Sequence, residues 1–185
     1  MDVLSERALN RALLARQRLH SRHAGSALDL VEHLVGLQAQ EPQEPYVGMW
    51  SRLRDLDPAA ASDLLERRVL VRTLLMRRTL HLVSARDCLA LRRLHDPMLV
   101  ARMRGTLGRR LPGVDTDELA AAALPLFAAE PRTLTDVARA VGDRWPGAVA
   151  RDLGDALSTL LPLVQVPPRG LWRRTAPAHN TTVDA

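Results

Sequence analysis

Hydrophobic residues recur at helical spacing through the first third of the chain. From Ser5 onward the apolar positions fall three or four residues apart, and Ser5 suits the N-cap of such a helix. A second apolar face runs through residues 27–35, and its helix must end before Pro42 because proline breaks a helix interior. The pattern further predicts a short helix near residues 47–53 and another that starts at Pro58.

The period changes between Val69 and Val83. Alternating and β-branched apolar residues in this stretch predict two strands in a hairpin. Ser84 then suits a helix N-cap, and Asp87 three residues later completes an acidic form of the capping box. The helix that follows extends toward Gly105. Several helices followed by a hairpin is the element order of a winged-helix unit.

The second half of the chain repeats this order. Helices are predicted over residues 117–129, from Thr133 or Thr135 onward, and over residues 148–161. Two short apolar runs, residues 163–166 and 171–174, flank a proline-rich turn and predict a second hairpin. The pattern therefore indicates a second helical unit with its own wing.

The predicted fold class is mainly α with short β-hairpins, arranged as tandem winged-helix domains. Glycine and proline punctuate residues 108–114 and mark a boundary between two units. We expect a first unit with its following linker helix over residues 1–110 and a second unit over residues 111–175. Residues 176–185 have no apolar period and are expected to be a tail or the start of a linker to a further unit.

Composition narrows the class of protein. Aromatic residues are scarce, so the core must be built from Leu, Val and Ala, which suits helices better than sheets. The single cysteine, Cys88, excludes an internal disulfide, and no stretch has the apolar length of a membrane span. Because the N-terminus also lacks the features of a signal peptide, we expect a cytoplasmic protein without a membrane partner.

Positive charge is concentrated in the middle of the chain. All 26 basic residues are arginine, and residues 66–110 hold 12 of them against 3 acidic residues. A G+C-rich genome would favour arginine without a functional cause, and a solvated helix face would also carry such a block. Arginine forks nevertheless suit phosphate oxygens, so the block is also the footprint expected of nucleic-acid binding.

Gln38-Ala39-Gln40 places two amides two residues apart, just before a proline-rich turn. In an extended or helix-terminal conformation, residues i and i+2 point to the same side, where two amides could hold a water molecule. On spacing alone, the alternative of two solvated glutamines at a frayed helix end is the simpler interpretation, because polar residues cluster in turns.

Other candidate chemistry is weaker. His20, His23 and His33 are close in sequence but lack the further ligands of a zinc site, so no metal is expected. Cys88 lies on an apolar helical stripe, which is typical of a buried structural thiol. Strand alternation groups His81 with two neighbours on one face of the hairpin, where it either faces a site or hydrogen-bonds within the sheet.

Three segments together resemble the AlkZ-type family of winged-helix DNA glycosylases. They are Gln38-Ala39-Gln40, the run Arg-Thr-Leu-His-Leu-Val at residues 78–83 with Asp87 after it, and residues 164–172 with the sequence VQVPPRGLW. The resemblance spans nearly the whole chain but only the N-terminal half of family members. Their signature is glutamine, an aliphatic residue, then glutamine, and Ala39 is a smaller aliphatic residue than usual.

This resemblance implies hydrolysis of the N-glycosidic bond of alkylated, possibly crosslinked, purines in DNA repair or self-resistance. It implies that Gln38 and Gln40 are catalytic and hold a water near C1′, and that no cofactor is required. Glu41 and Glu44 are candidates for electrostatic stabilisation, although neither belongs to the signature. The implied partner is double-stranded DNA, through which a cytoplasmic protein would associate with the nucleoid. From charge and alternation, the candidate DNA-binding residues are Arg77, Arg78, His81, Arg92, Arg93 and Arg169.

Two other functions fit the same sequence. A non-catalytic winged-helix DNA-binding or regulatory protein would bind duplex DNA in a salt-sensitive way and would be indifferent to lesions. An interaction module that uses its helical faces would have little DNA affinity at physiological salt. Preference for alkylated DNA and dependence on Gln38 would favour the glycosylase instead.

Overall fold

The computed structural model describes residues 3–184 and is mainly helical with one small antiparallel sheet. Eight α-helices and six strands follow one another in this part of the chain. The helices are α1 (Glu6–Arg16), α2 (Ala27–Leu34), α3 (Glu44–Trp50), α4 (Pro58–Glu66), α5 (Ala85–Leu107), α6 (Thr116–Ala129), α7 (Leu134–Val141) and α8 (Ala150–Leu160). The strands are β1 (Leu37–Gln38), β2 (Leu70–Leu74), β3 (Leu80–Ser84), β4 (Arg132–Thr133), β5 (Leu163–Gln165) and β6 (His179–Thr182).

Polar side chains begin three of these helices where the sequence predicts them. Ser5 caps α1, Ser84 caps α5 by accepting the Asp87 amide, and Thr133 caps α7. Such side chains satisfy amides that have no partner inside the helix. The predicted caps at Ser5 and Ser84 are therefore confirmed, and Thr133 is the correct choice for α7.

One antiparallel sheet runs through both halves of the chain, in the order β1-β3-β2-β5-β6-β4. The predicted hairpin of residues 69–83 is confirmed as β2 and β3. The seam between the halves is the pairing of β2 with β5, in which Arg72 lies opposite Gln165 and Thr73 opposite Val164. The sheet therefore joins the two predicted units directly, while their description as tandem winged-helix domains stays a prediction.

The end of the chain differs from the prediction. Residues 171–174 form a turn instead of a strand, and the partner of β5 is β6, which lies in the segment predicted as a tail or linker. The strand β6 reads His-Asn-Thr-Thr, and its last three residues are buried. The Thr181 hydroxyl donates to the carbonyl of Phe127 at 3.0 Å. Hydrophobic periodicity missed β6 because this strand is buried through hydrogen bonds and not through apolar side chains.

The core has a large cluster in each half of the chain. The second half packs α6, α7 and α8 around residues that include Phe127 and Leu157. The first half packs α2, α3 and α4 against the sheet around Leu30 and Met49. A smaller cluster, which includes Cys88, lies beneath α5 where that helix covers β2, β3 and β5. Among the described helices, none is long and apolar enough to cross a membrane.

Candidate active site at the sheet edge

The two candidate glutamines lie at the outer edge of the sheet and not at a helix end. Helix α2 ends at Leu34, Val35 adopts a left-handed conformation, and Gly36 follows with φ of +111°. This turn sends the chain into β1, which pairs antiparallel with β3. The alternative of two glutamines at a frayed helix end is thus wrong, and the segment begins as an extended strand.

Ala39 is buried, whereas Gln38 and Gln40 on either side of it are exposed. The Ala39 amide donates to the carbonyl of Leu80 at 2.8 Å, and the Leu80 amide donates to Oε1 of Gln40 at 3.2 Å. The side chain of Gln40 therefore takes the place of a backbone partner where β1 has ended. This bond leaves the NH₂ group of Gln40 free to donate, and Oε1 keeps a second lone pair.

Gln38 lies opposite His81 in the register, with Thr73 on the far side of His81. The Nδ1 atom of His81 is 2.9 Å from the carbonyl oxygen of Thr79. Because a carbonyl only accepts, Nδ1 carries the proton and Nε2 remains an acceptor in the neutral ring. Burial lowers the pKa of His81, with smaller contributions from the positive charges of His95 and Arg77, so the neutral ring is favoured.

A polar cavity of about 240 Å³ opens beside this edge. Its walls include three amide side chains, one buried guanidinium and one ion pair, contributed by Gln40, Arg72, Arg78, Asp155, Gln165 and Asn180. Arg72, Gln165 and Asn180 are register neighbours on three adjacent strands, so their side chains share one face of the sheet. Gln38 does not line this cavity, so the structure does not place both glutamine amides in it.

The candidate arginines fall into two groups. Arg77 and Arg93 are exposed, and Arg169 is half-buried, with one guanidinium nitrogen donating to the carbonyl of Ala176 at 3.0 Å. Arg77 lies in the turn between β2 and β3 and has φ of +53°, so it stands at the tip of the hairpin. These three residues remain predicted DNA contacts, and exposed Glu41 and Glu44 remain candidates for electrostatic stabilisation.

Arg92 requires a correction. Its side chain is 2% exposed and donates to the carbonyls of Leu74, Thr159 and Leu161 at 3.0, 2.6 and 2.9 Å. It also forms an ion pair with Asp96 at 3.0 Å. A guanidinium buried in this way cannot reach a phosphate, so we withdraw Arg92 from the DNA-binding set.

Arg78 is also committed to contacts within the protein. Its guanidinium pairs with Asp155 of α8 at 2.6 Å and donates to the hydroxyl of Thr159 at 3.1 Å. These bonds connect the β2–β3 turn to the second half of the chain. A phosphate contact by Arg78 would therefore compete with Asp155, so the residue is a weaker candidate than the exposed arginines.

Sequence reasoning missed Arg72, Gln165 and Asn180. The available signal for Arg72 was its position, since Leu70, Arg72 and Leu74 alternate on one face of β2 and a charged residue there must be buried. Gln165 lies within residues 164–172, which the sequence analysis used only for the family resemblance. Asn180 belongs to β6, the strand that was not predicted.

The fold agrees with the comparisons to known proteins. Residues 31–184 match the sequence model of the AlkZ-like family, described as DNA glycosylase AlkZ-like, and the chain belongs to this family. The structure is similar to that of Streptomyces sahachiroi DNA glycosylase AlkZ, with a TM-score of 0.66 and 23% sequence identity. That match covers 92% of this chain and 47% of the other, so the chain spans about half the length of this relative. No curated protein matches the sequence.

Proposed function

We propose that the chain is a DNA repair glycosylase that hydrolyses the N-glycosidic bond of alkylated purines in duplex DNA. The observation that carries the proposal is the pair of exposed amides flanking buried Ala39 on the outer strand, with the Gln40 amide held by the backbone of β3. Membership of the AlkZ-like family supports glycosylase chemistry for this pair. Crosslinked purines are a further substrate class under the same proposal.

The chemistry required of two amides is modest. Alkylation at N7 or N3 makes the purine cationic, so the base leaves with the electron pair of the C1′–N bond and becomes neutral without protonation. The oxygen of water then bonds to C1′, and its proton passes to solvent. An amide oxygen that accepts from this water, and an amide NH₂ that donates to it, fix its position against the oxocarbenium-like sugar.

The two glutamines have different tasks in this scheme. Gln40 is pre-oriented because its Oε1 already accepts from the Leu80 amide. Gln38 is adjacent to neutral His81, whose Nε2 is available as an acceptor. In our proposal Gln40 fixes the position of the attacking water, and Gln38 forms the second hydrogen bond to that water when DNA is bound.

DNA contacts are proposed for Arg77 and Arg93, which are exposed, and for Arg169, which is half-buried. Arg77 at the tip of the β2–β3 hairpin would act as the wing of a winged-helix unit, beside the DNA backbone. Arg93 on α5 and Arg169 in the turn after β5 would add phosphate contacts. These residues position the duplex without reading its sequence.

The test is release of the modified base from duplex DNA that contains N7-alkylguanine, followed by strand cleavage at the abasic sites. Gln38→Ala and Gln40→Ala are compared with the unchanged chain. Gln17→Ala is the control because Gln17 is an exposed glutamine at the end of α1, outside the glutamine signature. We expect each site variant to lose roughly 10²–10³-fold in single-turnover rate. Duplex binding without base release from folded protein would contradict the proposal and favour a non-catalytic DNA-binding protein.

A further inference from the structure

Arg72 is a buried cation on which, among residues 3–184, the carboxylate of Glu41 acts only from beyond ion-pair distance. Its side chain is 1% exposed, and among residues 3–184 no acidic group forms an ion pair with it. Burial, together with the nearby charge of Arg169, lowers the pKa of Arg72 to about 10, so the guanidinium is still charged near neutral pH. Because desolvating a charge is unfavourable, its retention at this position needs a compensating role.

The hydrogen bonds of Arg72 connect the glutamine segment to the second half of the chain. One terminal nitrogen, Nη2, donates to the carbonyl of Ala39 at 2.7 Å. The other, Nη1, donates to Oε1 of Gln165 at 2.8 Å. Since the Ala39 amide also bonds to Leu80, this residue is held through both its amide and its carbonyl. The backbone that carries Gln38 and Gln40 is therefore fixed between β3 and the Arg72 fork.

The surroundings of Arg72 leave it little freedom to move. Gly170 lies so close that an added Cβ would be 2.9 Å from Cδ of Arg72 and 3.2 Å from Nη1. The carbonyl of Gly170 is itself fixed, because it accepts the hydroxyl of buried Tyr46 at 2.9 Å. A lysine in place of Arg72 could not reach both acceptors in this geometry, since it carries one nitrogen where arginine has a rigid fork.

We infer that Arg72 is a positioning residue, which sets the orientation of Gln38 and Gln40 by holding the carbonyl of Ala39 between them. The inference rests on the proposed function, in which those glutamines hold the attacking water. Arg72 does not contact DNA or the reacting atoms in this arrangement. Its loss changes the rate of the chemical step and leaves the affinity for the duplex nearly unchanged.

The experiment compares Arg72→Met with Arg92→Met. Arg92 is an equally buried arginine that donates to three backbone carbonyls, none of which belongs to residues 38–40. Its substitution therefore removes a buried guanidinium without releasing the carbonyl of Ala39. Below the melting temperature of each variant, we expect Arg72→Met to lose on the order of 10²-fold in the single-turnover rate of base release. Its Kd for the duplex should stay within about threefold, and added guanidinium ion should restore part of the rate. Arg92→Met should show neither the rate loss nor the rescue.

A second readout does not depend on activity. The side-chain amide signals of Gln38 and Gln40 in ¹H–¹⁵N NMR spectra should shift or broaden in Arg72→Met and stay unchanged in Arg92→Met. If the unchanged chain releases no base, the proposed function fails, while these signals still decide whether Arg72 positions the glutamines. Unchanged glutamine signals, or a rate loss of equal size in both variants, would overturn the inference. If Arg72→Met does not fold, Arg72→Lys replaces it, because lysine keeps the charge and removes the fork.

Discussion

Gly170→Ala tests how tightly the loop after β5 holds Arg72. Gly170 has φ of +97°, a conformation that is unfavourable for residues with a Cβ, and the new methyl group would lie 2.9 Å from Cδ of Arg72. Arg72 is fully buried and bonded to Ala39 and Gln165, so it cannot move aside without breaking those bonds. The substitution therefore combines backbone strain with a steric clash.

The magnitude follows from these two contributions. Left-handed backbone costs an alanine about 1–2 kcal/mol, and overpacking a buried site adds about 1–3 kcal/mol. The lower entropy of the unfolded alanine variant offsets up to about 1 kcal/mol. We expect a net loss of about 2–4 kcal/mol in the free energy of unfolding. For a chain of this size that corresponds to a fall in Tm of about 4–16 °C.

Gly113→Ala is the matched control, since Gly113 also has positive φ, of +72°, but nothing lies within 4 Å of its added Cβ. It should show the strain alone, about 1 kcal/mol or about 2–4 °C in Tm. Both variants are measured by thermal unfolding, followed by circular dichroism, in one buffer. Equal losses in the two variants would refute the reasoning, because they would mean that Arg72 yields to the methyl group without penalty.

Three more predictions concern the histidine of the site, a helix cap and an ion pair. Burial lowers the pKa of His81, so between that lowered value and about 6.5 the unfolded state binds the extra proton and stability falls as pH falls. The free energy of unfolding should thus fall more between about pH 7 and about pH 5 in the unchanged chain than in His81→Asn. Parallel plots of this free energy against pH for the two proteins would contradict the prediction. Ser84→Ala should cost about 1 kcal/mol because Ser84 caps α5, whereas Ser5→Ala should have little effect on Tm because α1 buries none of its residues. Asp155→Asn removes the charged partner of Arg78, so its guanidinium can pair with a phosphate, and duplex affinity should rise. The salt dependence of binding should steepen by about one phosphate contact, which filter binding at several salt concentrations measures.

The helices and the first hairpin could be predicted from sequence because their determinants are local. Apolar residues at helical spacing and a capping side chain lie within a few positions of the helix they define, as at Ser84. The alternation in residues 69–83 likewise specifies both strands and the short turn between them. Gln38 and Gln40 could be singled out for the same reason, because the motif is contiguous.

The environment of the glutamines could not be predicted, because it comes from distant parts of the chain. Arg72 meets Gln165 across 93 positions, and Ala39 across 33. Strand β6 has no apolar pattern to reveal it, and Arg92 looks like a surface arginine until its three carbonyl acceptors are known. Charge counts along a sequence cannot separate an arginine that faces solvent from one that satisfies buried carbonyls.

The two predicted units, residues 1–110 and 111–175, share one sheet and several buried hydrogen bonds. Without the second half, Arg72 would lose Gln165, and the buried hydroxyl of Thr73 would lose the carbonyl of Leu163, to which it donates at 2.8 Å. Arg92 would lose two of its three carbonyl acceptors, leaving a buried cation largely unpaired. The geometry of Gln38 and Gln40 therefore depends on residues from both halves. Loss of the Gln165 side chain should thus alter the glutamine site through Arg72, although Gln165 contacts neither amide.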